Sequence, residues 1–390
     1  MTPAARLNRC KAILGELIAF PTVSSDGNID CLRYIAGLLE EAGARVEILV
    51  DESGAKANLW ATLGPEGPGG LVLSGHSDVV PTAEQDWTTD PFEMVEKDGK
   101  LFGRGTCDMK GFIAACVASL DVLAEVATRR PIHFAFTHDE EVGCLGARHL
   151  VEDLKARGIR PAMALIGEPT EMKVIDGHKG CCEYTVRFTG LEGHGSAPDA
   201  GVNAVEYAAR YVARLLSLRE DLKARAAPDS PFDPPWTTIN LGGLHGGTAH
   251  NVIAGKAALE WEMRPVNDAD MGFVKDAVAA HVADDLLPAM RAVAPHASIE
   301  TEVVGEVVGL APMPENEARD LMFRLTGANE AQVVPFGTEA GLFQQLGMHV
   351  AVCGPGSIAQ AHKPDEFISI SELEKCLDVL VRLGAEIGGR

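Results

Sequence analysis

Four apolar runs in this chain are each followed by an imidazole or a carboxylate. His76 and Asp78 follow Leu71-Val72-Leu73-Ser74-Gly75, and His138-Asp139-Glu140-Glu141 follows the run at 132–137. Glu168 follows the run at 162–166, and His362 comes after the run at 349–353 and a glycine-rich turn. Asp108 lies in the loop Gly103-Arg104-Gly105-Thr106-Cys107-Asp108-Met109-Lys110-Gly111, ahead of an apolar stretch. Taken singly, such a carboxylate reads as a solvated loop residue or, for Asp108, a helix cap. Together, His76, Asp108, Glu141, Glu168 and His362 supply two imidazoles and three carboxylates. That donor set suits zinc and tolerates cobalt or manganese. Three ionised carboxylates against two divalent cations leave one positive charge, which a hydroxide neutralises. One carboxylate then has to bridge two ions standing about 3.5–4 Å apart. Without cations the carboxylates repel, and at least one pKa must rise. Glu140 and Glu141 are neighbours, and in an extended segment neighbours point to opposite sides. One can face the ions while the other faces a substrate, where a glutamate can carry a proton from water to a leaving amine.

These groups need a scaffold that brings separate strand ends together. The apolar runs at 46–50, 58–63, 71–75, 132–137, 162–166 and 349–353 predict strands, and the segments 5–20, 30–43 and 112–126 predict helices. In a doubly wound α/β sheet the carboxyl ends of the parallel strands share one edge, where ligands bind. A block of different character interrupts this pattern. Alternating strands at 182–189 and 257–264, further strands at 237–241 and 298–304, and helices at 204–218 and 268–284 follow the order of a ferredoxin-like sandwich. The expected division is therefore 1–181 and 309–390 for the larger unit and 182–308 for the insert. An exposed edge or face of the insert could pair with its copy in a homodimer.

Composition narrows the function class. A chain of 390 residues with 46% hydrophobic and 23% charged residues is long enough for two domains. Its net charge of -22 argues against nucleic acid and against an anionic membrane surface. The nine cysteines form no Cys-x-x-Cys pair, which fits reduced thiols in a cytoplasmic protein. The segment 1–20 carries charges and lacks a signal-peptide core, and no apolar run is long enough to span a bilayer. The 103–111 loop lacks the Gly-Lys-Ser/Thr ending of a phosphate-binding loop and does not match Gly-x-Gly-x-x-Gly, which removes the nucleotide reading.

Ser74-Gly75-His76-Ser77-Asp78, the Gly103–Gly111 loop, Asp139-Glu140-Glu141-Val142-Gly143 and Gly167-Glu168-Pro169 together resemble the M20 di-zinc metallopeptidases and deacylases. Gly337-Thr338-Glu339-Ala340-Gly341 and the stretch His362 to Phe367 narrow the resemblance to the family's amino-acid deacetylases. The resemblance implies a zinc-exopeptidase-like α/β domain interrupted by an α+β lid that also dimerises. It implies one zinc on His76, Asp108 and Glu168, and a second on Asp108, Glu141 and His362, with cobalt as an alternative. Asp78 would orient His76, Glu140 would be the general base, and the Asp108–Met109 peptide would be cis. His194 of the lid would stabilise an oxyanion in the partner's site. Asn251 and Arg264 would bind a substrate carboxylate, with Thr338 and Lys179 as weaker candidates, and Glu339 could meet an ammonium group. The substrate would be a small N-acylamino acid. Gly195 stands where relatives often carry serine or alanine, a difference expected to matter little. Arg264 could equally be a strand residue in an ion pair, and His194 a surface histidine. The remaining histidines read as structural or solvated, His178 and His250 being the likeliest exceptions. A non-catalytic metal- or amino-acid-binding protein on the same scaffold is the rival of another class.

Overall fold

The computed structural model describes residues 1–127 and 130–387. They form two compact units, one from the described residues within 1–177, 312–333 and 338–387, the other of 178–311 and 334–337.

The first unit is built on a mixed sheet. Leu71–His76 lies inside it, parallel to Ile132–Thr137 on one side and to Met163–Pro169 on the other. His349–Gly354 continues the parallel set beyond Met163–Pro169. Ala57–Leu63 and Arg45–Val50 add antiparallel strands beyond Ile132–Thr137. Every residue of Leu71–His76, Ile132–Thr137 and Met163–Pro169 is buried, so both faces of these strands are covered. Buried parallel strands of this kind read as continuous apolar runs rather than as alternating ones. Leu71 stands opposite both Ile132 and Met163, and His76 opposite Thr137. This register brings the polar residues that follow each strand out at one edge.

Helices supply the cover. Pro3–Ile18 starts with Thr2, whose hydroxyl accepts from the Ala5 amide at 3.2 Å, and Pro3 takes its first turn. Lys110–Ala118 is buried on all sides, as an apolar helix must be. Its one charge, Lys110, donates to the Leu17 and Phe20 carbonyls at 2.9 and 2.8 Å, at the carboxyl end of Pro3–Ile18 where a cation is favoured. The single helix expected at 112–126 is two helices, Lys110–Ala118 and Leu120–Val126. Between them the Ser119 amide divides its hydrogen bond between the Ala115 and Cys116 carbonyls, tightening the turn.

The second unit has four antiparallel strands in the spatial order Thr238–Gly246, Lys256–Arg264, Cys181–Thr189, Ser298–Val307. Helix Ala204–Ala224 connects the first strand of the chain to the second, and Asp268–Ala280 the third to the fourth. Alternate residues of Cys181–Thr189 are buried, and Cys182, Tyr184, Val186 and Phe188 pack with Leu215, Leu218 and Leu222. The helix expected at 268–284 runs on through a π-helical turn, His281–Leu286, into Leu287–Val293. All nine cysteines are free, and no described helix is long and apolar enough to cross a membrane.

His133 stacks on Trp60 with ring centroids 4.7 Å apart and bonds Thr62 at 2.9 Å. Burial pushes its pKa down to about 4. A histidine kept neutral by folding stabilises fully above its unfolded pKa, and that contribution fades as pH falls towards the folded value. Between about pH 6.5 and 4 this residue should cost the protein roughly 3 kcal/mol. Urea midpoints of wild type and His133→Phe should therefore diverge across that window; superimposable pH profiles would refute the assignment.

Candidate metal centre

Five side chains converge where the parallel strands end. His76, Asp108 and Glu168 form one group of potential ligands and Asp108, Glu141 and His362 another, with the donor atoms of each group within 4.8 Å of one another. Asp108 belongs to both. Its Oδ1 lies 3.0 Å from His76 Nε2 and its Oδ2 3.3 Å from His362 Nε2. Glu141 Oε2 is 3.0 Å from His362 Nε2, and Glu168 Oε1 is 3.8 Å from His76 Nε2. The strand register delivers His76 and Glu168, and the loop before Lys110–Ala118 delivers Asp108 across a cis Asp108–Met109 peptide.

The electrostatics fit divalent cations. Burial, followed by the charge of Asp108, drives Glu168 well above the ordinary carboxylate range and Glu141 up to about 7. Burial also acts to raise Asp108, but hydrogen bonds from His362 and His76 hold it low. Hydrogen bonds to Asp108 and Glu141 lift His362 to about 10. The protein thus gathers carboxylates that resist ionising together, and protonated imidazoles take the place of cations. Glu168 Oε1 is buried without a hydrogen-bond partner, a cost that a ligated ion would remove.

Asp78 stands behind His76, though differently from expectation. His76 Nδ1 donates to the Asp78 backbone carbonyl at 2.9 Å, while the carboxylate is 3.5 Å away. Besides that charge contact the carboxylate accepts the Glu140 amide at 3.1 Å, the Glu141 amide at 3.4 Å and the Ser24 hydroxyl at 2.7 Å. It therefore ties the His76 strand end to the loop that carries Glu140. Lys56 supports the same loop, reaching both oxygens of Asp139 at 2.7 Å and the Ser24 carbonyl at 2.6 Å. Glu140 is half-buried, and burial raises its pKa well above normal, with the charges of Glu141, Asp108 and Asp78 adding to the shift and His76 opposing it.

Thr338 is also in this unit, fully buried, its hydroxyl accepting from the Ala340 amide at 3.0 Å. Glu339 is neither solvated nor turned to a ligand. It is 1% exposed, and its oxygens accept from Ser74 at 2.5 Å and Thr137 at 2.7 Å. That corrects its reading as an ammonium partner.

His194, Lys179, Asn251 and Arg264 belong to the second unit. His194 is exposed, and its Nδ1 accepts the Ser196 amide at 3.2 Å. Nδ1 also lies 2.7 Å from the Ser196 hydroxyl, and with Nδ1 as the acceptor Nε2 is the ring's donor. Gly195 sits where a side chain would crowd the neighbouring backbone. Its amide donates to the Asn251 carbonyl at 2.7 Å, and a Cβ there would come within 2.9 Å of the Asn251 carbonyl carbon. Lys179 donates to the Pro234 and Trp236 carbonyls at 2.6 and 3.0 Å, which makes it a brace for that segment. Arg264 is half-buried and paired with Glu262 at 2.8 Å, the arrangement of the bland alternative. Asn251 and His250 are exposed, whereas His178 is buried with Nδ1 donating to the Lys179 carbonyl at 2.9 Å. A third acidic group, Cys181, Glu183 and Glu262, carries Arg264 as its counter-charge.

Residues 72–386 match the model of peptidase family M20/M25/M40. An acetylornithine deacetylase of Photorhabdus laumondii subsp. laumondii is 36% identical over 363 residues, covering 91% of each chain. The acetylornithine deacetylase of Proteus mirabilis is 36% identical over 375 residues, covering 94% of each. Among solved structures, an M20 family metallo-carboxypeptidase, Sso-CP2 from Sulfolobus solfataricus, shares the fold with a TM-score of 0.75 at 15% identity, covering 97% of this chain and 99% of that one.

Because both groups contain Asp108, ligand removal should be asymmetric. Asp108→Ala should abolish tight binding of both ions, Glu168→Ala only of the one beside His76, and His362→Ala only of the one beside Glu141. Metal content after dialysis against cobalt measures this. Equal losses in all three variants would contradict the two-group geometry. Saturating wild type at a hundredfold excess over Kd should add about 2.7 kcal/mol of stability per ion.

Proposed function

The chain belongs to peptidase family M20/M25/M40 and is a metal-dependent amidohydrolase, and from that premise we propose that it hydrolyses N2-acetyl-L-ornithine to L-ornithine and acetate, a step of arginine biosynthesis. The observation that carries the reading is the likeness to acetylornithine deacetylases over more than nine-tenths of both chains. The same reading makes the ions zinc, with cobalt able to replace it.

His76, Asp108 and Glu168 would hold one ion and Asp108, Glu141 and His362 the other. Two such ions supply Lewis-acid polarisation of the acyl carbonyl and a lowered water pKa. The remaining work falls to the chain. Glu140 takes a proton from the attacking water as oxygen bonds to the acyl carbon. It then gives that proton to the amine nitrogen as the carbon–nitrogen bond breaks. A raised pKa suits both roles, since an acid–base group works best near the operating pH. Asp78 holds the Glu140 amide, so the base cannot drift from the strand end. His194 would donate from Nε2 to the developing oxyanion of a partner protomer. The homodimer would form through the inserted unit, whose edge strand Ser298–Val307 exposes Val303 and Val304.

Glu140→Gln should retain both ions and lose roughly 10²–10⁴-fold in kcat. Turnover of acetylornithine should also exceed that of acetylcitrulline, succinyl-diaminopimelate and acetylmethionine in side-by-side assays. Near-normal turnover by the metal-loaded variant would rule out Glu140 as the base, and preference for another member of the panel would replace the substrate.

A further inference from the structure

We propose that Glu366 is a positioning residue for the two-ion centre, and that Arg104 and Gln85 extend its hold to His362. The inference rests on the metal-centre reading above. Glu366 is 1% exposed. One of its oxygens, Oε1, accepts three backbone amides: Gly105 at 3.1 Å, Cys107 at 2.9 Å and Asp108 at 3.1 Å. Convergent amides of this kind form a concave anion site. Its occupant here is a side chain from 258 residues further along the chain. One of the three amides belongs to Asp108, the residue shared by both ligand groups.

The second oxygen, Oε2, takes Arg104 Nη1 at 2.7 Å, and both side chains of this ion pair are 1% exposed. Arg104 Nη2 donates to Gln85 Oε1 at 2.6 Å, and Gln85 Nε2 donates to the His362 carbonyl at 3.0 Å. Arg104 Nη1 also reaches the Lys363 carbonyl at 3.2 Å. His362 needs such support, because its φ of +62° lies in the left-handed region that a side chain disfavours. A continuous path, Asp108 amide to Glu366 to Arg104 to Gln85 to His362 carbonyl, therefore joins the two segments whose side chains would flank one ion. A buried ion pair is a poor source of stability, since apolar residues of equal volume often do as well. Apolar residues could not, however, gather three amides on one side and orient a guanidinium on the other.

The path makes an asymmetric prediction. Glu366 holds the backbone of the shared ligand, so its loss should weaken both ions. Gln85 bonds the His362 carbonyl directly and reaches Asp108 only through Arg104 and Glu366, which keep their own bonds to one another, so its loss should weaken the site that contains His362. In Glu366→Gln the carboxamide offers a single acceptor oxygen where the amides and Arg104 need two. The test is cobalt titration of the full-length wild type, Glu366→Gln and Gln85→Leu, read by visible absorbance and metal content, with circular dichroism and Tm as folding controls. Supporting partners of metal ligands typically carry 10–100-fold in affinity. Glu366→Gln should lose about that much at both sites, and Gln85→Leu about tenfold at one site with the other unchanged. Wild-type affinity at both sites in either folded variant, or an equal loss at both sites in Gln85→Leu, overturns the proposal while leaving the metal centre standing. A wild-type protein that takes up no cobalt overturns both. Gln85 is only half-buried, so if Glu366→Gln fails to fold, Gln85→Leu decides the matter alone.

Discussion

Three carboxylates crowded around one point at the edge of a buried sheet set the terms for the first unit. Asp108, Glu141 and Glu168 repel one another, and burial removes the water that would screen them. Left alone, such a cluster would take up protons or spread apart. Imidazoles at 3.0–3.3 Å from Asp108 oppose the first outcome by supplying positive charge. Backbone hydrogen bonds oppose the second, because a loop tied through its amides cannot relax away from its neighbours. Divalent cations are the natural counter-charge, and the unpartnered Glu168 oxygen marks where one is wanted.

Two further carboxylates do the tying. Asp78 takes the amides of Glu140 and Glu141, and Glu366 takes those of Gly105, Cys107 and Asp108. Neither belongs to the two ligand groups. Each spends its charge on the peptide backbone beside Asp108, Glu140 or Glu141, which fixes where those side chains start. Each is in turn supported: Asp78 by Ser24, and Glu366 by the Arg104 guanidinium. Lys56 completes the first arrangement by binding Asp139, the residue immediately before Glu140. Glu140 is held through its backbone amide, with only the Cys144 thiol, among the described residues, on its carboxylate, an arrangement that suits the proposed role of moving protons.

The inserted unit solves a different problem. Its four-stranded sheet buries one face and leaves alternate residues outward, so it reads as alternating strands and not as continuous apolar runs. His194 sits on a two-residue strand paired with Val252–Ile253, next to the close approach of Gly195 and Asn251. A Cβ at 195 would crowd the Asn251 backbone, so the close approach of the two segments favours glycine there.

The elements and the chemistry available at their ends are written locally along the chain. Hydrophobic period and turn residues are local, so the parallel strands, the β-α-β-β-α-β order of the insert, and the histidines and carboxylates after each strand could be read directly. Two adjacent glutamates singled out the candidate base, although the extended segment expected for them is a turn, with the Gly143 and Cys144 amides bonded to the Glu140 carbonyl. Only the tertiary structure decided which polar groups meet. Glu366 lies 258 positions from the amide it holds, Glu339 lies 265 from Ser74, and Lys56 lies 83 from Asp139. No local propensity encodes such pairings, because they arise when strands in register and loops of set length close on one another. For the same reason Glu339, legible only as a loop glutamate, is a buried acceptor for two strand hydroxyls. Asp78, legible as a partner for an imidazole, faces His76 and also holds the Glu140 amide, a contact no local pattern announces.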